Sequence, residues 1–454
     1  MARSNWLFGC EELDDSVPAA AVDAEAVPAA ATEPEPAVVE DAGESVEAQL
    51  IEVEGLDAEI CTMEADAGEL QGDTESMENM ESAVAESAEE GGLDETAAKV
   101  TEVAMESYCA RWGIQRTRVA TESFAGGSRQ QATQVALEGI GDSIKGAFET
   151  FGKWLQEFVN KIRDFWVKYI NAGKAVKKRA QKLKQRLSNG LGAIKKDHIS
   201  GAWAKDLLIN QKVDIATVLK FLSGADKGIS GFGKKIEDAV SLIKFGGDKV
   251  FKRMDYNTIL VSLIYAVNGM YYPGVIGISE LRGAVRVPSN AKDLEIYATP
   301  GEGYFVSFTN PDDGRKSVKF AQHSTEGKLA NIDIKTPSTS DLDKAVEGLI
   351  QCGDIMETKI ISFRDGQMKL AQLNGEVKAA IAAVDKATSR EDIQTARKNV
   401  WAAKDALEQY NTVTRVITNS LTTVSKGLIG YISAGIGAYA AVKDAVEHEQ
   451  IQVI

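Results

Sequence analysis

The sequence predicts a mainly α-helical protein, built as a bundle or hairpins, with a small antiparallel β element and a disordered acidic N-terminal arm. Three observations carry this. No proline occurs from 139 to 272, and Phe148, Phe151, Leu155, Phe158, Ile162, Phe165 and Tyr169 step by three and four, the spacing of one helix face. Short strand-like segments between 293 and 335 flank Asn310-Pro311-Asp312-Asp313-Gly314, a strong turn signal. Residues 1–106 hold thirty Asp and Glu against two basic residues, Arg3 and Lys99.

The elements follow in chain order. Residues 1–106 form the acidic arm, rich in Ala, Glu, Asp, Ser and Val, without an aromatic after Phe8. Such a stretch buries too little apolar surface to offset chain entropy, and like charges swell it. Short helical tendencies stand out at Val46–Leu56 and Thr96–Tyr108. The arm reads as a solvating tail, or as a removable propeptide or charge mimic that occupies a basic surface. Residues 107–138 form a hinge, with Arg111, Arg116, Arg118 and Arg129 and a Gly126-Gly127-Ser128 break.

Residues 139–256 form a basic amphipathic region. Its apolar stripe runs from Phe148 to Tyr169, widened by Trp154, Trp166 and Ile170, and resumes at Val176, Ala180, Leu183 and Leu187. Asn171-Ala172-Gly173 marks a kink or cap between the two runs. Shorter helices are expected at Val213–Leu222 and Lys234–Ile243. Residues 257–340 form a small α+β element. Asn257–Tyr272 reads as helix or strand, Leu294–Thr299, Gly303–Asn310 and Ser317–His323 as strands, and Asn331–Lys335 as a further one. Residues 341–454 return to helix, at Asp341–Gly353 and along the Ala-rich Asp365–Gln409. Gly427–Val442 is uncharged but glycine-rich and shorter than the ~18 residues of a membrane span. A buried terminal helix is the main reading there, and triggered membrane insertion the other.

Charge divides the chain more sharply than hydropathy. The total of −16 splits into −28 for residues 1–106 and +12 for the rest. Between 153 and 196 thirteen basic residues face only Glu157 and Asp164. Three readings compete: a core helix with a solvated face, a face that neutralises the phosphates of double-stranded DNA without reading bases, and an aromatic–lysine helix lying on a membrane surface. The phosphate contacts expected are Lys174, Lys177, Lys178, Arg179, Lys182, Lys184 and Arg186.

Enzyme chemistry has no foothold. HExxH, G-x-S-x-G and a dinucleotide glycine fingerprint are absent, as is the P-loop pattern. Four dispersed cysteines and three histidines give neither a disulfide framework nor a metal pair. His323 reads as a surface residue. No catalytic, cofactor-binding or metal-ligating residue is assigned, and a non-enzymatic structural or binding role is expected. The first residues lack the apolar run of a signal peptide, so a reducing cytoplasm, or a particle assembled there, is the expected compartment.

One short pattern recurs where the charge changes sign. Ala104-Met105-Glu106, Ala120-Thr121-Glu122 and Ala136-Leu137-Glu138 are Ala-x-Glu triplets sixteen residues apart, each followed by a small residue. The same triplet occurs at 31–33, 42–44, 147–149 and 406–408, so its position at the charge boundary matters more than its presence. With the acidic arm before it and the aromatic–basic helix after it, the stretch around residues 100–200 resembles the internal head proteins of large tailed bacteriophages. The resemblance implies cleavage by a prohead protease after Glu106, Glu122 or Glu138. It also implies a virion structural role inside the phage head, beside double-stranded DNA and capsid or other internal head proteins, and ejection into the host with the DNA. A membrane-active protein, using the aromatic–basic helix and the Gly/Ala-rich C-terminal helix, is the alternative. Residues 201–454 resemble no family that motifs identify.

Overall fold

The computed structural model describes residues 45–114, 129–241, 271–274, 287–311, 314, 316–322, 332–371 and 390–440. Helix dominates, as the sequence predicts. The helices are α1 (Val46–Glu89), α2 (Glu95–Trp112), α3 (Arg129–Ser188), the short α4 (Trp203–Asp206), α5 (Ile215–Ser241), α6 (Thr339–Asp354), α7 (Ile361–Ala371) and α8 (Arg390–Gly437). A π-helical turn, Ile355–Lys359, joins α6 to α7.

The 60-residue α3 is the axis of the fold. Its predicted stripe is its buried face: Phe148, Phe151, Leu155, Phe158, Ile162, Phe165 and Tyr169 are all inaccessible or nearly so. Trp401 of α8 closes the stripe at one end, with its ring 5.4 Å from Phe148 and 5.1 Å from Phe151. The expected break at Asn171-Ala172-Gly173 does not occur, and α3 runs straight through it. Gly173 is there for close approach instead. A Cβ on it would lie 2.7 Å from Met356 Cβ and 2.9 Å from the Glu357 backbone nitrogen, so the absent side chain lets the π-helical turn seat against α3.

The largest departure concerns the acidic arm. Residues 1–44 lie outside the described residues, but 46–106 are not an unpacked chain. Two helices hold most of them, extending the tendencies at Val46–Leu56 and Thr96–Tyr108. Ser45 caps α1 by accepting from Ala48 N at 3.1 Å, and Asp94 caps α2 by accepting from Ala97 N at 2.8 Å. The composition argument failed because α1 has no need of a core of its own. Leu50, Val53, Ile60, Ala67, Leu70, Met77 and Val84 form one stripe that packs along α3.

The β content is small and antiparallel. Strands β4 (Tyr272–Pro273), β5 (Lys292–Thr299), β6 (Gly303–Thr309) and β7 (Lys316–Gln322) form one sheet in that spatial order. Phe305 pairs with Tyr297 on one side and Phe320 on the other, which makes β6 the buried central strand. The predicted turn is present, with Gly314 at φ +69° donating to Asn310 O at 2.9 Å. Sequence reading did not anticipate β1 (His198–Ser200), which pairs with β8 (Asp333–Lys335) away from that sheet. Nor did it anticipate the hairpin of β2 (Leu208–Ile209) and β3 (Lys212–Val213), whose two-residue turn puts Asn210 and Gln211 at positive φ. Val213 therefore ends a strand rather than starting a helix, and α5 is one helix from Ile215 to Ser241 where two were expected; positions 242 and 243 lie outside the described residues. Positions 257–270 and His323 lie outside the described residues.

The last helix, α8, answers the question raised by Gly427–Val442. Leu428, Ile429, Tyr431 and Ile432 are buried, and Gly430 lies under the Trp203 side chain of α4, where a Cβ would collide. Gly427, Gly430 and Gly435 each serve packing, against Leu207, Trp203 and Leu342. Among the described residues no helix is long and apolar enough to cross a membrane.

Candidate functional site: the acidic helix and the basic face it covers

Helix α1 runs antiparallel to α3 and also touches α8. Its buried stripe repeats at three- and four-residue intervals, but the repeat includes acids. Asp57, Glu64 and Glu81 stand at seam positions between the apolar residues, and Glu64 is only 7% exposed. Each meets a cation or amide of α8. Arg415 donates from Nε to Asp57 Oδ1 at 3.0 Å and from Nη2 to Glu64 Oε2 at 2.8 Å. Asn411 donates to Glu64 Oε1 at 2.7 Å, and Asn419 to Asp57 Oδ2 at 3.3 Å. Arg397 pairs with Glu81 at 2.7 Å and Glu78 at 3.7 Å, and Lys426 with Glu54 at 3.0 Å.

The same helix neutralises α3 on its other flank. Lys168 meets Glu52 at 2.7 Å, and Lys161 bonds Glu59, which raises the lysine above its ordinary pKa. Trp154 Nε1 donates to Met63 O at 2.7 Å. At the far end, Arg111 and Trp112 of α2 both donate to Asp73, at 3.1 Å and 2.8 Å.

A polar relay carries this interface into the core. Trp166 of α3 donates to Gln367 of α7, Gln367 donates to Asn411, and Asn411 donates to Glu64. One turn from Asn411, Lys404 and Glu408 form a buried pair at 2.6 Å. Burial pushes the Glu408 carboxyl up to about 8, against the pull of Lys404 and with a push from Glu64. Near Lys426 and Glu54, burial also lifts Asp206 to about 6. An ion pair removed from water is costly to break from one side, because the remaining charge has no solvent to fall back on.

The predicted phosphate contacts fall into two groups. Lys177 bonds Asp354 at 2.9 Å and Glu357 at 3.5 Å, which raises its pKa, and Lys184 bonds Glu347. These two fasten α3 to α6 and the π-helical turn. Among the described residues Lys174, Lys178, Arg179 and Arg186 make no ion pair. All four come later in α3 than Lys168, the partner of Glu52 in α1. Lys182 also comes later; it is exposed but does have a partner. The basic residues the sequence did not single out, Arg397, Arg415 and Lys426, are scattered along α8 with no local charge run to mark them.

Of the three candidate cleavage positions, Glu106 is exposed within α2 and Glu138 is exposed within α3. Glu122 falls between the two helices, outside the described residues. Among the described residues no group of His, Cys, Asp and Glu has the arrangement of a metal site. Cys352 is buried, and burial raises its thiol to about 12, which suits packing rather than nucleophilic chemistry.

The profile of the phiKZ-like phage internal head proteins matches residues 38–434, a span that takes in the acidic helix, the basic axis and most of α8. No curated protein and no solved structure matches the chain. The chain belongs to the phiKZ-like phage internal head proteins.

Proposed function

We propose that this internal head protein is made with an acidic N-terminal propeptide that a prohead protease cuts, and that its basic body then packs against double-stranded DNA inside the capsid. The observation that carries the reading is the charge pairing of α1, which covers Lys161, Lys168, Arg397, Arg415 and Lys426 with carboxylates. An acidic segment seated on cations stands where a polyanion's phosphates would otherwise sit.

Glu122 is the favoured cleavage position. A protease binds its substrate as an extended strand, and Glu106 and Glu138 would each have to be pulled out of a helix first. A cut after Glu122 divides the −16 chain into a −26 segment and a +10 body. Lys174, Lys178, Arg179 and Arg186 supply phosphate contacts without base readout. No catalytic role is assigned. Neighbouring internal head proteins and the capsid are the protein partners, and exit with the DNA at infection completes the reading.

The aromatic stripe that suggested a membrane surface is spent on the core, so no observation favours that alternative. Mass spectrometry of the protein from mature particles tests the proposal. A chain beginning at Ser123 is expected. An intact N-terminus at Met1 or Ala2 would remove the propeptide.

A further inference from the structure

We infer that the groove between α3 and α8 is a receptor for an acidic amphipathic helix, and that α1 stays seated in it, with α2 attached, after the chain is cut between α2 and α3. The inference rests on the propeptide reading and changes its timing. The described contacts that hold α1 are all made by residues outside the link at 115–128. Leu50, Leu70, Met77 and the rest of the apolar stripe are buried against the body. Asp57 and Glu64 are bound by Arg415, and Leu93 N donates to Thr133 Oγ1 of α3 at 2.9 Å. Breaking one peptide bond in the link removes none of these contacts. It removes only the high effective concentration that the tether supplies.

Charge complementarity fixes the occupant. The groove offers apolar surface flanked by Lys161 and Lys168 on one side and by Arg397, Arg415 and Lys426 on the other. A basic or neutral helix would leave those cations uncompensated, whereas α1 meets them from both flanks. The cut therefore makes a two-piece complex that keeps the full −16, and the reversal to +10 waits for the acidic piece to leave.

The test uses the full-length chain with the recognition sequence of a site-specific protease inserted between Glu122 and Ser123. After cutting in 0.1 M NaCl, gel filtration should return both pieces together at the volume of the uncut protein. Elution of the acidic piece apart from a folded 123–454 body would overturn the inference. In Asp57→Lys/Glu64→Lys, which sets lysines against Arg415, the pieces should part after cutting, and co-elution would show that charge does not select the helix. If that variant does not fold, Glu64→Gln replaces it. Exchange of its acidic piece against added, isotope-labelled 1–122 should be about tenfold faster or more than in the parent, and an unchanged rate again counts against selection by charge. Because the protease is supplied, loss of the piece here leaves open whether the phage cuts the chain, which the N-terminus in particles reads separately.

Discussion

Removing Glu64 should cost far more than removing a surface acid. Its carboxylate is 7% exposed and accepts from Asn411 Nδ2 at 2.7 Å and Arg415 Nη2 at 2.8 Å. In Glu64→Ala the Arg415 guanidinium loses the nearer of its bonds to α1 while keeping Asp57, and the Asn411 amide loses its acceptor. Stripping one partner from a buried pair costs about 3–5 kcal/mol, against about 0–1 kcal/mol for an exposed pair. Arg415→Ala should fall in the same range, since it takes the guanidinium from Asp57 and Glu64 and leaves these two acids of α1 facing the neutral amides of Asn419 and Asn411. The double variant removes both charges. Its loss should fall below the sum of the singles by about 2 kcal/mol, within the coupling expected of residues in direct contact. Urea unfolding followed by circular dichroism measures all three, with an unchanged m value confirming that stability alone has moved. Additivity within about 0.5 kcal/mol, or a Glu64→Ala cost under about 1 kcal/mol, would mean that α1 is held by its apolar stripe alone and that its buried acids are incidental.

Other measurements probe the rest of the molecule. Glu408 and Asp206 both hold their protons more tightly folded than unfolded, at about 8 and about 6. Their contribution is therefore full below the ordinary carboxylate range and lost as pH rises through 6 and then 8. Thermal stability should fall from pH 5 to 8, and Glu408→Gln should flatten the upper part of that fall; an unchanged slope in the variant would refute the assignment. Gly173→Val should cost about 2–3 kcal/mol by overpacking α3 against the π-helical turn, and a melting temperature equal to the parent's would sink the close-approach argument. For duplex DNA, replacing Lys174, Lys178, Arg179 and Arg186 together by Ala should reduce the slope of log affinity against log salt by about 3–4, at about 0.9 per phosphate contact. Lys177→Ala and Lys184→Ala should barely change that slope, and equal effects from both sets would dissolve the distinction between free and fastened lysines.

The sequence by itself determined the elements whose signals are local. The three-and-four stepping from Phe148 to Tyr169 is a property of one helix face, and that face is the core. The alternating strands around Asn310–Gly314 are equally local, and they pair as expected. The charge split and the Ala-x-Glu boundary pointed to a phage internal head protein, the family to which the chain belongs. The basic run of α3 was legible too, because its lysines crowd one short stretch, but the cations that α1 covers there, Lys161 and Lys168, were not the ones singled out.

Tertiary structure decided the rest. The fate of the acidic arm turned on Asp57, Glu64 and Glu81, which its composition counted only among the like charges that swell an unpacked chain. Their cations, Arg415 and Arg397, lie more than 300 residues further along the chain. No window of helical or strand periodicity spans such a separation, so the acids could not be read as buried. Gly173 shows the same limit at one residue. Composition marks it as a helix breaker, and only the turn at Met356 and Glu357 packed against it shows why its missing side chain matters. Local periodicity fixes which residues turn together, whereas the cost of burying a charge depends on what the fold brings to meet it.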